Sequence, residues 1–121
     1  MKTILIVEDD MKIARGLGIR MQSAGYKVAM AHDAVTGVSA ARKHSPDLLL
    51  LDINMPAGDG FMVAERIMRL SGLGVIPIIF LTASKQPGFR ARADELGAVA
   101  YIEKPFESEM LLATIAKALG E

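Results

Sequence analysis

The sequence predicts an α/β fold, a doubly wound (βα)5 domain in which five parallel strands carry helices on both faces. Three observations point there. Five short apolar runs, Ile4 to Val7, Val28 to Met30, Leu48 to Leu51, Val75 to Leu81 and Ala98 to Ile102, begin every 20 to 27 residues. Each is continuously apolar rather than alternating, as suits a strand buried on both faces. The segments between them place apolar residues at helical spacing and end on glycine or proline.

Taken in order, the first helix is expected from Met11 to Ala24, where Ile13, Leu17 and Met21 recur at helical spacing, with Gly25 as its stop. It should present Met11, Ala14, Arg15 and Gly18 near the carboxyl ends of the strands. Asp33 is an N-cap candidate for a second helix running to about His44, with Val35, Val38 and Ala41 inward and Ser45-Pro46 closing it. Phe61 to Leu70 reads as the third, ended by Gly72 and Gly74 before a strand whose Pro77 sits near its start. Phe89 to Leu96, stopped by Gly97, and Ser108 to Leu119 complete the set. Such an alternation predicts right-handed crossovers and a crevice at the carboxyl ends of the strands.

Composition narrows the functions available. The 121 residues fit one domain, 1–121, with one core. Aromatic residues make up 5%, so the core must be aliphatic. Lys plus Arg number 14 and Asp plus Glu 14, which leaves no net field to draw the chain to nucleic acid or an anionic membrane. The absence of cysteine excludes disulfides, thiolate metal sites and thiol nucleophiles, and favours a reducing compartment. The opening apolar run is too short for a signal peptide or a membrane span, so a cytoplasmic location is expected.

The unusual polar residues fall at the predicted strand ends. Glu8-Asp9-Asp10 follows the first strand, Asp52 ends the third, Thr82 ends the fourth and Lys104-Pro105 follows the fifth. Taken singly, each has an ordinary reading: Asp10 as a helix cap, Asp52 as turn chemistry, Thr82 as a cap, Lys104 as a solvated charge. Their convergence on one edge is what needs explaining. Carboxylates taken out of water together require a counterion. Hard oxygen donors without nearby His or Cys point to Mg²⁺, with Lys104 as a compact positive charge across the pocket.

These residues resemble the receiver domains of bacterial response regulators, the single-domain chemotaxis regulators among them. The resemblance rests on Ile4-Leu5-Ile6-Val7-Glu8-Asp9-Asp10, Leu50-Leu51-Asp52-Ile53-Asn54-Met55-Pro56 with Gly58-Asp59-Gly60, Leu81-Thr82-Ala83 and Tyr101-Ile102-Glu103-Lys104-Pro105-Phe106. It implies the flavodoxin-like strand order 2-1-3-4-5. It further implies that Asp52 is the phosphoacceptor, that Asp9 and Asp52 bind Mg²⁺ directly, that Glu8 holds it through water, and that the Asn54 carbonyl completes the set. Lys104 would pair with the phosphoryl group, Thr82 would move to hydrogen-bond it, and Tyr101 would be the aromatic switch. Asn54 and Ser84 match positions that tune phosphoryl lifetime, and Lys104-Pro105 matches a cis peptide.

A sensor histidine kinase or phosphotransfer protein is then the expected donor. A downstream protein would bind the surface of the fourth helix, fifth strand and fifth helix. No direct contact with nucleic acid or membrane is expected of this domain, and it would act as an enzyme only on its own phosphorylation and dephosphorylation. Two departures are visible. Ala57-Gly58 replaces a bulkier pair and should loosen the loop beside Asp52. Val99, Ala100, Met110 and Thr114 stand where the winged-helix transcription factors of the family carry dimerising charges, which argues against that dimer.

Three other readings compete. A degenerate receiver acting only as an interaction module would not need every site residue in place. A Mg²⁺-dependent phosphatase would need a second acid where Asn54 stands, and a flavin or nucleotide binder would need small residues and free amides where Glu8-Asp9-Asp10 stands. The chain ends at Glu121, just past the fifth helix, which suits either a stand-alone receiver or the N-terminal part of a longer regulator.

Overall fold

The computed structural model describes residues 1–56 and 58–121. Strands and helices alternate throughout as β1 (Thr3–Val7), α1 (Met11–Ser23), β2 (Lys27–Ala31), α2 (Ala34–His44), β3 (Leu48–Asp52), α3 (Gly60–Met68), β4 (Ile78–Thr82), α4 (Pro87–Glu95), β5 (Ala100–Glu103) and α5 (Ser108–Ala118). All four pairings are parallel, in the order β2-β1-β3-β4-β5. This is the predicted arrangement, with the reversal of strand order beside β1 and β3.

The continuous apolar runs are explained by two cores, one on each face. Ile4, Ile6, Leu48, Leu50, Ile79 and Leu81 pack with Leu17 and Met21 of α1 and Leu111 and Ile115 of α5. Their neighbours Leu5, Val7, Leu49, Leu51, Ile78 and Phe80 point the other way, against Ala41 of α2, Phe61, Ala64 and Ile67 of α3, and Ala93 of α4. Because side chains alternate along a strand, both parities must be apolar, and each buried side chain contributes about 1.5–3 kcal/mol. Phe61 stacks obliquely on Phe80 at 4.9 Å and meets Phe89 edge-on at 5.5 Å.

Three helices start on aspartate. Asp10 accepts from the amides of Lys12 and Ile13 at 3.0 and 3.2 Å, Asp33 from Thr36 at 2.8 Å, and Asp59 from Met62 at 2.9 Å. Asp10 thus has its ordinary capping role. Replacing it with alanine is expected to cost about 1 kcal/mol, read as a midpoint lowered by roughly 4 °C in thermal unfolding. α4 starts instead on Pro87, has only Ala93 fully buried, and is held at its flanks by arginines. Arg92 pairs with Glu65 and lies over Phe61, while Arg90 pairs with Glu103 and lies over Tyr101.

Several sequence expectations need correction. Val35 is exposed rather than inward, because α2 turns its smallest residues, Ala34, Gly37 and Ala41, to the sheet. A Cβ on Gly37 would meet both Val7 methyls at 3.2 Å, so this close approach sets the helix phase. On α1, Ile13 is exposed and Ala14 is buried in its place, together with Gly18, so neither Ala14 nor Gly18 is on offer at the crevice. β4 begins at Ile78, three residues later than expected, and Val75 is fully exposed. Gly72 and Gly74 adopt positive φ and Pro77 lacks an amide hydrogen, so pairing with β3 starts only beyond them. Of the Ala57-Gly58 pair, Ala57 lies outside the described residues.

Candidate functional site

β1, β3, β4 and β5 end at the same edge and deliver Glu8, Asp52, Thr82 and, one residue past β5, Lys104. Glu8, Asp52 and Thr82 are buried at 1%, 4% and 0% exposure. The positions of all four follow from strand register. Val7 pairs with Leu51, Asp52 with Leu81, and Thr82 with Glu103, so the residues that follow each strand fall into one row.

One carboxylate oxygen from each of Glu8, Asp9 and Asp52 lies within 4.8 Å of the others. Lys104 Nζ donates to Glu8 Oε1 at 2.8 Å and stands 3.7 Å from Asp52 Oδ1. One ammonium therefore serves two of the three carboxyl groups, Glu8 and Asp52. Burial, followed by the hydrogen bond to Glu8 and the Glu8 charge, pushes the Asp52 carboxyl up to about 7 against the opposing pull of Lys104. Burial acts upward on Glu8 too and is its largest single influence. The hydrogen bond from Asp52 and the bond and charge of Lys104 together outweigh it, and the Glu8 carboxyl titrates below its ordinary value. Two buried carboxyls this close resist being charged together, and the strain falls on Asp52. Three hard oxygens crowded to this degree fit a small divalent cation, Mg²⁺ by donor type.

Asn54 and Thr82 close the pocket. The Asn54 amide donates to Asp52 Oδ1 at 3.2 Å, and its side-chain oxygen accepts from the Thr82 hydroxyl at 2.6 Å. Thr82 Oγ1 in turn accepts from the Ser84 amide at 2.9 Å. Ser84 Oγ accepts from the Gln86 amide at 3.2 Å, so its hydroxyl is turned along the loop. The Lys104–Pro105 peptide is cis, and the Lys104 amide donates to the Thr82 carbonyl at 2.7 Å. Tyr101 stands apart from these residues. It packs on the α2–α3–α4 core with the Arg90 guanidinium 4.6 Å from its ring centre. Beside it, a groove is lined by Glu103, Phe106, Met110 and Thr114.

Two residues at this edge were given no role from sequence. Gly60 opens α3 so close to Asp52 that a Cβ there would lie 2.4 Å from the Asp52 carbonyl oxygen. A glycine directly after a capping aspartate was the available signal. His32, just beyond β2, places Nδ1 3.0 Å from the Glu8 carbonyl oxygen, and no sequence pattern announced it.

Fold and edge together define a flavodoxin-like α/β domain whose switch-point crevice is acidic and built for a hard cation rather than for a nucleotide or flavin phosphate. Comparison with known proteins agrees: the family model for the response regulator receiver domain matches residues 4–116. The chain belongs to that family, and it is a receiver domain of two-component signalling. The DNA-binding dual master transcriptional regulator RpaA of Synechocystis is 37% identical over 95% of the chain and 48% of its own length. The transcriptional regulatory protein DltR of Streptococcus agalactiae is 41% identical over 93% of the chain and 49% of its own length. The chain thus spans about half the length of the curated relatives it matches.

Among solved structures, the chemotaxis protein CheY4 of Vibrio cholerae superposes with a TM-score of 0.91 at 31% identity, covering 98% of this chain and 99% of that one. A CheY-like receiver domain protein of Methanospirillum hungatei gives 0.92 at 29% identity, covering 99% and 94%. Among the described residues, no helix is long and apolar enough to cross a membrane.

Proposed function

We propose that residues 1–121 form one receiver domain in which Asp52 accepts a phosphoryl group from a phosphohistidine on a sensor kinase or phosphotransfer protein. A carboxylate oxygen of Asp52 attacks phosphorus in line, the P–N bond breaks, and its electron pair returns to the imidazole nitrogen. The observation that carries this reading is the burial of Asp52 between Glu8 and the ammonium of Lys104. Lys104, paired with Glu8 and 3.7 Å from Asp52, would take the charge of the phosphoryl oxygens. Mg²⁺, held by Asp9, Asp52, the Asn54 carbonyl and, through water, Glu8, would supply the remaining charge neutralisation.

The response follows from hydrogen bonding. A phosphorylated Asp52 offers strong acceptors, and the Thr82 hydroxyl can leave Asn54 for them. Tyr101 would then turn inward from beneath Arg90, and the surface of α4, β5 and α5 would change for a downstream partner. Driving such a switch from one state to the other takes about 5.5 kcal/mol, which two or three charge-assisted bonds can supply. Asn54 and Ser84, which flank Asp52 and Thr82 in the hydrogen-bond network, would govern water access and the phosphoryl lifetime. The exposed Val99 and Met110 favour a partner with apolar contacts on this face over the charged dimer of the winged-helix relatives. The domain would thus act on itself alone, in the cytoplasm.

The test is incubation with acetyl phosphate, with and without Mg²⁺, of the protein and of Asp52→Asn, followed by phosphate-affinity gel and amide NMR. A Mg²⁺-dependent modification, lost in the variant and accompanied by shifts at Thr82 and Tyr101, is the expected outcome. Modification that persists in Asp52→Asn would move the acceptor elsewhere, and none in either protein would leave a phosphorylation-independent interaction module.

A further inference from the structure

We infer that His32 is a positioning residue for the acidic site, acting through the Glu8 peptide to fix the direction in which Glu8 and Asp9 present their carboxylates. This rests on the metal reading given above. The Glu8 carbonyl oxygen can only accept, so the 3.0 Å contact requires the proton of His32 to sit on Nδ1. On its other side the Glu8 amide donates to the Ala31 carbonyl at 3.0 Å. Two consecutive residues, Ala31 and His32, therefore hold the amide and the carbonyl of one residue, Glu8, and with them the two successive peptide units that lead from β1 into the acids.

The grip is rigid because His32 is itself fixed from both ends. Ala31 is the last residue of β2, paired with Val7. Asp33, the next residue, caps α2 through the Thr36 amide at 2.8 Å and also accepts from the Thr36 hydroxyl at 2.8 Å. α2 is in turn seated on Val7 at Gly37, where even a Cβ would press on both methyls at 3.2 Å. The start of α2, the end of β1 and the acidic loop thus form one packed unit with the imidazole as its polar link. Glu8 Oε2 accepts from the Asp10 amide at 3.3 Å, which carries the same constraint forward through Asp9 to the cap of α1. Groups that orient a metal ligand without touching the metal commonly set affinity by about 10- to 100-fold. An imidazole acting on the ligand's own backbone belongs at the lower end of that range.

The experiment titrates Mg²⁺ into the full chain and follows the Asp9 and Asp10 amides by NMR, for wild type, His32→Ala, His32→Leu and His32→Asn. Leucine approximates the ring's volume without a donor, and the asparagine side-chain NH₂ occupies nearly the place of Nδ1. Mg²⁺ binding about 10-fold weaker in the alanine and leucine variants, and within about 3-fold of wild type in the asparagine variant, is the expected result. Their Mg²⁺-free unfolding midpoints should match. The rate of phosphorylation by acetyl phosphate at saturating Mg²⁺ should also be unchanged, with only the Mg²⁺ concentration for half-maximal rate displaced. Wild-type affinity in His32→Leu, or an asparagine variant as weak as the alanine one, overturns the role of His32 and leaves the metal reading intact. Failure of the wild-type protein to bind Mg²⁺ overturns both.

Discussion

Gly60→Ala is expected to destabilise the protein by about 3 kcal/mol, although alanine is the better helix former. Propensity alone would favour the substitution by up to about 1 kcal/mol at a helical position. Against that stands the geometry at the start of α3, where the new Cβ would lie 2.4 Å from the Asp52 carbonyl oxygen, 3.0 Å from its carbon and 3.1 Å from the Ile53 Cα. All three are backbone atoms of the strand end, which cannot swing aside like the tip of a side chain. The helix must move out, stretching the 3.1 Å bond from the Gly60 amide to the Ile53 carbonyl, or the Asp52 peptide must move in. A lowered thermal midpoint, by roughly 4 °C per kcal/mol, should be accompanied by amide shifts at Asp52 and Asn54. A variant as stable as wild type would mean that helix propensity outweighs the close approach, and that α3 is not wedged against the site.

The second large effect is of opposite sign: in EDTA, Asp52→Asn should be more stable than wild type, and the more so at higher pH. The Asp52 carboxyl is raised to about 7 in the folded protein from an ordinary value of 3.8. An acid with a raised folded value holds its proton longer in the fold than in the unfolded chain. Stability is therefore lost progressively as pH climbs from about 4 to about 7, and the whole penalty is present above that. Glu8, whose value is lowered, contributes stability that is present above 4.5 and lost only at more acid pH, so it does not mask the effect. The penalty is on the order of 2–4 kcal/mol, which asparagine removes because it carries no charge. Thermal unfolding at pH 5 and pH 8 should show the gap between the two proteins widening with pH, and millimolar Mg²⁺ should close it by stabilising wild type alone. A gap independent of pH would refute the crowding of Glu8 and Asp52.

The fold was legible because burial on both faces leaves a plain trace. Leu48 to Leu51 can hardly be anything but an inner strand, and the aspartates at 10 and 33 mark helix starts. Errors arose where tertiary contact overrides local pattern. Val35 reads as a core residue by hydropathy, yet α2 rests on Gly37 because Val7 leaves no room for more. Val75 extends an apolar run but falls between glycines at positive φ and a proline, where no ladder can form. For the site, Glu8, Asp9, Asp52, Thr82 and Lys104 could be gathered because strand ends converge by topology. Nothing in one dimension signals that the His32 ring reaches back 24 residues to a carbonyl.

The strand ends also divide the molecule by tolerance. Every charged group of the crevice hangs from the carboxyl ends, while the opposite rim carries the turns at Gly25, Gly72 and Gly74, whose positive φ favours glycine and which hold no group of the site. With Val75 wholly in solvent between β4 and the end of α3, that rim offers an attachment point for a fluorophore or a tether. A label there would ride on the domain without entering its chemistry, and would sense the crevice only through rigid-body motion of the elements between.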